Sequence, residues 1–459
     1  MKKTSYHIIS LGCAKNTVDS SSMAQLLNQY GYSFEENLRR ADFLIVNTCG
    51  FIEAARQESV EVLKGLAKRK RKHQLIIVSG CLSQRYGEQI LQNVSGIDGI
   101  LGTRNWNDIV RIIEHLRSTQ RIGSEPLAAV MLSNAPIVME AENTPRIAVQ
   151  GKTAYIKIAD GCRRSCAFCA IPSIKGSLVS RPMKRIIEDA RLLQEQGIQE
   201  IILIAQDTTD YGSDLGIKDG LVQLLKALTV AIPSVPWIRI LYTFPGYISE
   251  DLIELMAHHP QILPYLDIPL QHAHPAVLKR MGRPTNIDTV LRTFEKIRKQ
   301  LPQVVLRTTF IVGYPDESEA EFNTLLDFIA EVRFDKIGVF PFSFERGTLC
   351  EHLGDPIPPE VKEARLEKLL ALQQDISLQK HQSLIGKTLA VLIEGTGELE
   401  DSHEPLWVGR SYRDAPEIDG FVFIQGNLPK TEGLIPVRIE GALPYDLIGS
   451  AVAQLQSKQ

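Results

Sequence analysis

Short apolar runs and helical repeats alternate along the first 120 positions. His7–Leu11 (HIISL), Phe43–Asn47 (FLIVN) and Leu75–Ser79 (LIIVS) are continuous apolar stretches of strand length. Val18–Tyr30 carries apolar residues at helical spacing and stops at Gly31, and Glu53–Lys70 repeats the pattern. This alternation predicts a parallel sheet with right-handed crossovers. Residues 121–150 lack periodicity and hold Pro126, Pro136 and Pro145, as a linker does. Strand signals then return at Ala154–Ala159, Glu200–Ala205, Trp237–Tyr242, Tyr265–Ile268, Val304–Val312 and Lys336–Phe340, most of them separated by helical segments such as Arg185–Gln196 and Ser318–Glu331. Six such units predict a partial (β/α)6 barrel, open where the eight-unit form closes. A polar helix over Pro359–Ile385 leads to short strands at Leu389–Glu394, Leu406–Tyr412, Gly420–Ile424 and Leu434–Ile439, the pattern of a small all-β barrel. The chain is therefore read as α/β, with units at 5–120, 151–380 and 381–455 and the linker at 121–150.

Composition narrows the class. The 459 residues are 44% hydrophobic and 23% charged, with a net charge of −3 and no general attraction to nucleic acid. No apolar run reaches the ~18 residues of a membrane span, and Met1-Lys2-Lys3 precedes a strand instead of a signal-peptide core. A cytoplasmic protein without membrane contact is expected. The basic run Lys68–Lys72 reads as a solvated helix end before a buried strand.

Seven cysteines change the picture, because spaced cysteines in a large cytosolic chain point to metal or catalysis and not to disulfides. Cys162, Cys166 and Cys169 form a CxxxCxxC loop after the first barrel strand, at the face where such barrels place their sites. Three thiolates hold three irons of a 4Fe–4S cluster and leave the fourth open to chemistry. Arg163 and Arg164 are expected to favour the thiolate forms. The alternative is zinc, which takes four protein ligands; only Cys350 or His272, both distant in sequence, offer a fourth. Cys13, Cys49 and Cys81 each follow one of the first three strands, each beside a glycine, so parallel strands bring all three to one sheet edge. They form a second three-cysteine set. Cys350 has no such setting and reads as a structural thiol.

The CxxxCxxC loop resembles that of the radical S-adenosylmethionine superfamily. Together with Leu11-Gly12-Cys13-Ala14-Lys15-Asn16, Asn47-Thr48-Cys49-Gly50-Phe51, Ser79-Gly80-Cys81-Leu82, Ala170-Ile171-Pro172 and a TRAM-like terminal barrel, the whole chain resembles the methylthiotransferase family. Val18-Asp19-Ser20, Gln206–Gly212 and above all Gly409–Gly420 resemble the branch that modifies ribosomal protein uS12 and not the branch that modifies tRNA adenosine, which is the alternative; Ser21 stands where family members often have Glu. The resemblance implies two 4Fe–4S clusters, S-adenosylmethionine, an electron donor such as flavodoxin or ferredoxin, and no specific tRNA contact. It also implies the reaction: a methylthio group assembled at the N-terminal cluster is transferred to the β-carbon of a uS12 aspartate, after a 5′-deoxyadenosyl radical from the barrel cluster removes a hydrogen. That carbon offers no acidic proton, so acid–base chemistry does not reach it.

Charge adds to this reading. From His381 onward six Lys and Arg stand against eleven Asp and Glu, a balance of −5, which suits a basic protein partner better than tRNA. Asp414–Gly420, between two strands, is expected to be an exposed recognition loop. Expected cofactor contacts are Phe168 on adenine, Gln206 and Asp207 at the amino-acid end of S-adenosylmethionine, and Thr308 and Gly313 at the fifth barrel strand, with Pro315 beside them. His272 after the fourth strand reads as a buried structural residue next to Gln271, and Arg283 as either an anion contact or a surface charge.

Overall fold

The computed structural model describes residues 4–122, 128–141, 143–398, 405–426, 428 and 433–452. Its first unit runs β1 (Ser5–Ser10), α1 (Ala14–Gln29), β2 (Ser33–Phe34), β3 (Phe43–Thr48), α2 (Glu53–Arg69), β4 (Leu75–Gly80), α3 (Cys81–Asn93), β5 (Gly99–Leu101), α4 (Ile109–Ile122) and β6 (Ala129–Met131). All six strands are parallel, in the order β2-β1-β3-β4-β5-β6. β3 and β4 are buried along their whole length, hence their uninterrupted apolar runs. The strand order reverses between β1 and β3, and open α/β sheets bind ligands at the carboxyl side of such a point.

The second unit follows with β7 (Ile147–Gln150), β8 (Thr153–Lys157), β9 (Ala159–Asp160), α5 (Ile171–Lys175), β10 (Val179–Ser180), α6 (Met183–Glu195), β11 (Glu200–Ile204), α7 (Gly220–Ala231), β12 (Trp237–Ile240), α8 (Glu250–His258), β13 (Tyr265–Asp267), α9 (Pro275–Arg280), α10 (Ile287–Gln300), β14 (Val305–Val312), α11 (Glu319–Val332), β15 (Lys336–Pro341) and α12 (Pro359–Gln382). β8, β11 and β12 are parallel, as are β13, β14 and β15; β7 adds antiparallel to the free edge of β8. Strand alternation sorts the side chains. Ala154, Ile156, Ile201, Leu203, Ile238 and Leu306 join the core shared with the helices, whereas Tyr155, Ile202, Trp237, Tyr265 and Val305 form a second core. That second core also takes in Ala14 and Val18 of α1 and Leu392 and Ala415 of the terminal unit.

The partial barrel is thus closed at both ends by its neighbours. At the carboxyl ends of the strands, Asp19 of α1 pairs with Arg146, Lys157 and Lys175, and Asp160 pairs with the same two lysines at 3.0 and 3.1 Å. All five side chains are essentially inaccessible, and the surrounding cations hold both carboxyls below the usual range despite their burial. At the amino ends sits the terminal unit, the closed barrel β16 (Thr388–Glu398), β17 (Pro405–Ser411), β18 (Val422–Gln425), β19 (Leu434–Ala442) and β20 (Leu447–Ala451), in the order β16-β17-β18-β20-β19. Its β17–β18 connection reaches into the partial barrel. Arg410 donates to Glu200 at 2.7 Å, Lys336 donates to Asp414 at 2.8 Å, Arg413 donates to Asp335 at 2.8 Å, and Tyr265 donates to Asp419 at 2.6 Å.

Several expectations change here. Residues 121–150 are not a structureless linker: α4 runs into them, β6 extends the first sheet and β7 the second. Runs of three and four residues are too short to show a period. Pro126 lies outside the described residues. The last barrel strand, Leu447–Ala451, gave no separate signal. Asp414–Gly420 is not an exposed recognition loop. Asp414 and Asp419 face Lys336 and Arg307, only Glu417 and Ile418 are open to solvent, and the segment lies at the barrel end opposite Asp19. Of the charges in the −5 balance, Arg410, Arg413, Asp414 and Asp419 are spent within the molecule, and Glu400, Asp401, Glu404, Lys430, Glu432 and Lys458 lie outside the described residues. Lys68, Arg69, Arg71 and Lys72 are exposed, in keeping with a solvated helix end, and Lys70 ends on Asp98. No helix among the described residues is long and apolar enough to cross a membrane.

Two substitutions separate the packed from the exposed part of the connection. Asp414→Ala leaves Lys336 buried without its partner and should cost about 3–5 kcal/mol, whereas Glu417→Lys should change stability by less than about 0.5 kcal/mol. Urea midpoints measure both; equal shifts would mark the connection as ordinary surface. Desolvation raises the Asp414 carboxyl, but Lys336 outweighs it and the net shift is downward. This stabilisation is therefore complete above the ordinary carboxylate pKa of about 4 and is lost as pH falls below it.

Candidate active site

The two ends of the parallel strands that carry cysteine meet across one cavity. Cys13 is the N-cap of α1 and Cys81 the first residue of α3, so both thiols sit at helix amino ends. Cys49 follows β3 and is fixed by a pair of hydrogen bonds with Ser59 (3.1 and 3.2 Å). Asn16 ties the turns together, donating to the Leu11 and Thr48 carbonyls, while Asn47 donates to the Asn16 carbonyl and to Ser20. The turns approach so closely that a Cβ on Gly12 would stand 2.8 Å from the Cβ of Cys49, and Gly12 has φ +91°. Here glycine is required by both space and backbone.

The second triad leaves β9 through Gly161, whose φ is +77° and whose Cβ would strike the Ser177 carbonyl at 2.1 Å. The loop is pinned by Cys162 N–H to Gly176 O (3.0 Å), Cys169 N–H to Cys166 O (3.0 Å) and Ala167 N–H to Met281 O (2.8 Å). Cys350 lies beneath it, buried, its N–H donating to the Ala167 carbonyl, which is a structural position. Arg283 is neither free nor at the surface: it donates to Cys166 Sγ at 3.4 Å and lies over the Phe244 ring.

All six cysteines line a single cavity of about 350 Å³. Lys15, Phe168, Gln206, Asp207, Tyr242, Gln271 and Arg283 line it too. A larger groove of about 740 Å³ between α2 and α3 carries no thiol. Among the described residues no group of three His, Cys, Asp or Glu converges on one ion position.

Electrostatics divides one expectation. Arg164 opposes the effect of burial on Cys162 through its backbone N–H, 3.4 Å from Cys162 Sγ, and its charge, but neither guanidinium ends on a thiol. Arg163 forms a two-point pair with Asp210 (2.6 and 2.7 Å), and Arg164 pairs with Asp207 at 2.8 Å, stacked on Tyr247 and Phe244. Burial dominates instead and pushes Cys162 up to about 11 and Cys169 up to about 12. Cys81 rises to about 12 for the same reason, and Cys49 also rises. Burial lowers the Lys15 ammonium, against opposing pulls from Cys13, Asp160 and Asp267.

The expected cofactor contacts divide. Gln206 donates to Asp160 at 2.6 Å and leaves Oε1, a buried acceptor, without a partner. Phe168 lines the wall within the cluster loop. Asp207 is held by Arg164 and accepts from the Thr209 N–H at 3.0 Å, so it acts through Arg164. Thr308 and Gly313 stand outside the lining. Thr308 bonds Ile268 O and Leu270 N–H, and a Cβ on Gly313 would strike Lys362. His272 is buried against Glu317 at 3.2 Å, a structural role. Gln271, singled out with His272 after the fourth strand, lines the cavity, whereas Lys15 and Tyr242 escaped the sequence reading as site residues. The available signals were Lys15 close to Cys13 in Gly-Cys-Ala-Lys-Asn and the end of the third barrel strand.

The chain is similar to known proteins over almost its whole length. Residues 5–102 match the model described as uncharacterized protein family UPF0004, residues 156–329 the radical SAM superfamily, and residues 385–452 the TRAM domain. The chain is similar to the ribosomal protein uS12 methylthiotransferase RimO of Chloroflexus aurantiacus, at 44% identity over 98% of this chain and 100% of that one. It is 43% identical to the protein of the same name from Synechocystis sp., over 96% of each. In fold it is similar to the radical S-adenosylmethionine methyltransferase TsrM of Kitasatospora setae, at TM-score 0.54 and 13% identity over 76% of this chain and 74% of that one. A second such likeness is to the cobalamin-dependent radical enzyme OxsB, at TM-score 0.51 and 11% identity over 82% and 56%. With full-length relatives above 40% identity and the radical loop in its barrel setting, the chain belongs to the ribosomal protein uS12 methylthiotransferase family of radical S-adenosylmethionine enzymes.

Proposed function

We propose that this protein transfers a methylthio group to the β-carbon of an aspartate in ribosomal protein uS12, with Cys162, Cys166 and Cys169 holding the radical-generating 4Fe–4S cluster and Cys13, Cys49 and Cys81 a second one. The observation that carries the reading is the single cavity lined by both triads. When bound, the clusters and S-adenosylmethionine supply the radical and the methylated sulfur.

The chain's own residues orient and shield. Arg283 donates to Cys166 Sγ, the kind of contact that tunes a cluster. Asp207 and Asp210 hold Arg164 and Arg163 beside the loop, and Arg164 with Phe244 and Tyr247 makes an aromatic–cationic wall. Gln206 offers its unpartnered Oε1 to a donor such as the amino group of S-adenosylmethionine, and Phe168 offers a face to adenine. The apolar walls exclude water from a reactive carbon. An external one-electron donor of the flavodoxin or ferredoxin kind completes the scheme.

Three outcomes test this reading. Mass spectrometry of uS12 from cells lacking the gene should show the unmodified aspartate; persistence of the methylthio group would refute the assignment. Anaerobic reconstitution should give about eight irons per chain, and about four after Cys162, Cys166 and Cys169 are all replaced by Ala. A wild type that binds only four has one cluster. Alanine variants of Cys13, Cys49 or Cys81 should still release 5′-deoxyadenosine from S-adenosylmethionine under reducing conditions, yet transfer no methylthio group. Loss of cleavage in folded variants would contradict the division of labour.

A further inference from the structure

Nearly every basic side chain near the cavity ends on a counter-charge or a cluster ligand. Lys157 and Lys175 end on Asp19 and Asp160, Arg164 on Asp207, and Arg283 on Cys166 Sγ. Lys15 is the exception: among the described residues it makes no ion pair. Its ammonium reaches only the Ala205 carbonyl, at 3.4 Å, and the Tyr242 ring, whose centroid is 3.2 Å away. It lies deep in the molecule yet keeps accessible surface, because it lines the cavity. An ammonium has three donors, and a cation withdrawn from bulk water without a carboxylate leaves much of its interaction unmet. The platform beneath it is built at a cost. Tyr242 has φ +62°, which a bulky side chain rarely adopts, and its N–H is tied to Asp267 at 3.1 Å.

We propose that Lys15 receives the side-chain carboxylate of the substrate aspartate and makes the site selective for it; the inference rests on the methylthio transfer proposed above. Lys15 stands in the first turn of α1, two residues after Cys13, in the cavity that both triads share. The acceptor β-carbon has to lie between those triads. In aspartate the carboxylate carbon is bonded directly to that β-carbon, so fixing the carboxylate fixes the reacting atom. The strained Tyr242 ring holds the ammonium in place before substrate arrives.

The test uses reconstituted enzyme and purified uS12, either natural or with the acceptor aspartate replaced by asparagine, and measures both dissociation constants and methylthio transfer. Wild type should bind natural uS12 about 10- to 100-fold more tightly than the asparagine form, as a charge-assisted hydrogen bond in an enclosed site implies. Lys15→Met, of similar length, should hold about eight irons and bind the two forms within about two-fold of each other; Lys15→Arg should recover part of the preference. A wild type that modifies uS12 but binds both forms alike overturns this inference and leaves the proposed function intact. So does a Lys15→Met variant that keeps the full preference. A wild type that transfers nothing to natural uS12 defeats the proposed function, and this inference falls with it. If Lys15→Met fails to hold iron, the wild-type preference and its partial retention in Lys15→Arg decide.

Discussion

The site depends on a buried set of ion pairs. Asp19, from the first helix, reaches Arg146, Lys157 and Lys175, and Asp160 shares the two lysines. These groups come from both units: Asp19 from the first helix, Arg146 from the residue before β7, Lys157 and Asp160 from β8 and β9, and Lys175 from the helix that follows the radical loop. Removing one partner from such a set leaves a charge stranded at a cost of about 3–5 kcal/mol, so the set tolerates few relative positions of the two units. Two three-cysteine edges, each formed by its own sheet, are thereby held face to face. Gln206, bonded to Asp160, carries the same constraint to the cavity wall.

The opposite end of the barrel follows a similar rule with a different result. Arg410 on Glu200, Asp414 on Lys336 and Arg413 on Asp335 fasten the terminal β-barrel to the strand starts. Charge at that end serves cohesion, the role of the amino-terminal face in closed (β/α)8 barrels. The Gly409–Gly420 segment therefore contributes to function by closing the fold.

How far the sequence reveals this depends on whether the determinants are local. Cys162, Cys166 and Cys169 lie on one loop, and Cys13, Cys49 and Cys81 end strands whose apolar runs are unmistakable, so both triads were legible. So was the parallel sheet, because strands buried on both faces leave continuous runs. The Asp19 network was not legible: its partners stand 127 to 156 residues away, and a lone Asp within a polar helix looks solvated. Asp414–Gly420 misled for the same reason, being rich in charge and proline while its counter-charges belong to distant strands. The ion pairs of Arg163 and Arg164 were not legible because Asp210 and Asp207, which hold them, are more than forty residues further on.

The central claim is that two iron clusters face one another across a single cavity. Anomalous X-ray diffraction at the iron edge, from crystals of the anaerobically reconstituted enzyme, tests it most directly. The account predicts two separate iron sites, one beside Cys13, Cys49 and Cys81 and the other beside Cys162, Cys166 and Cys169, with no protein wall between them. A single iron site, or two sites opening into different cavities, would contradict it.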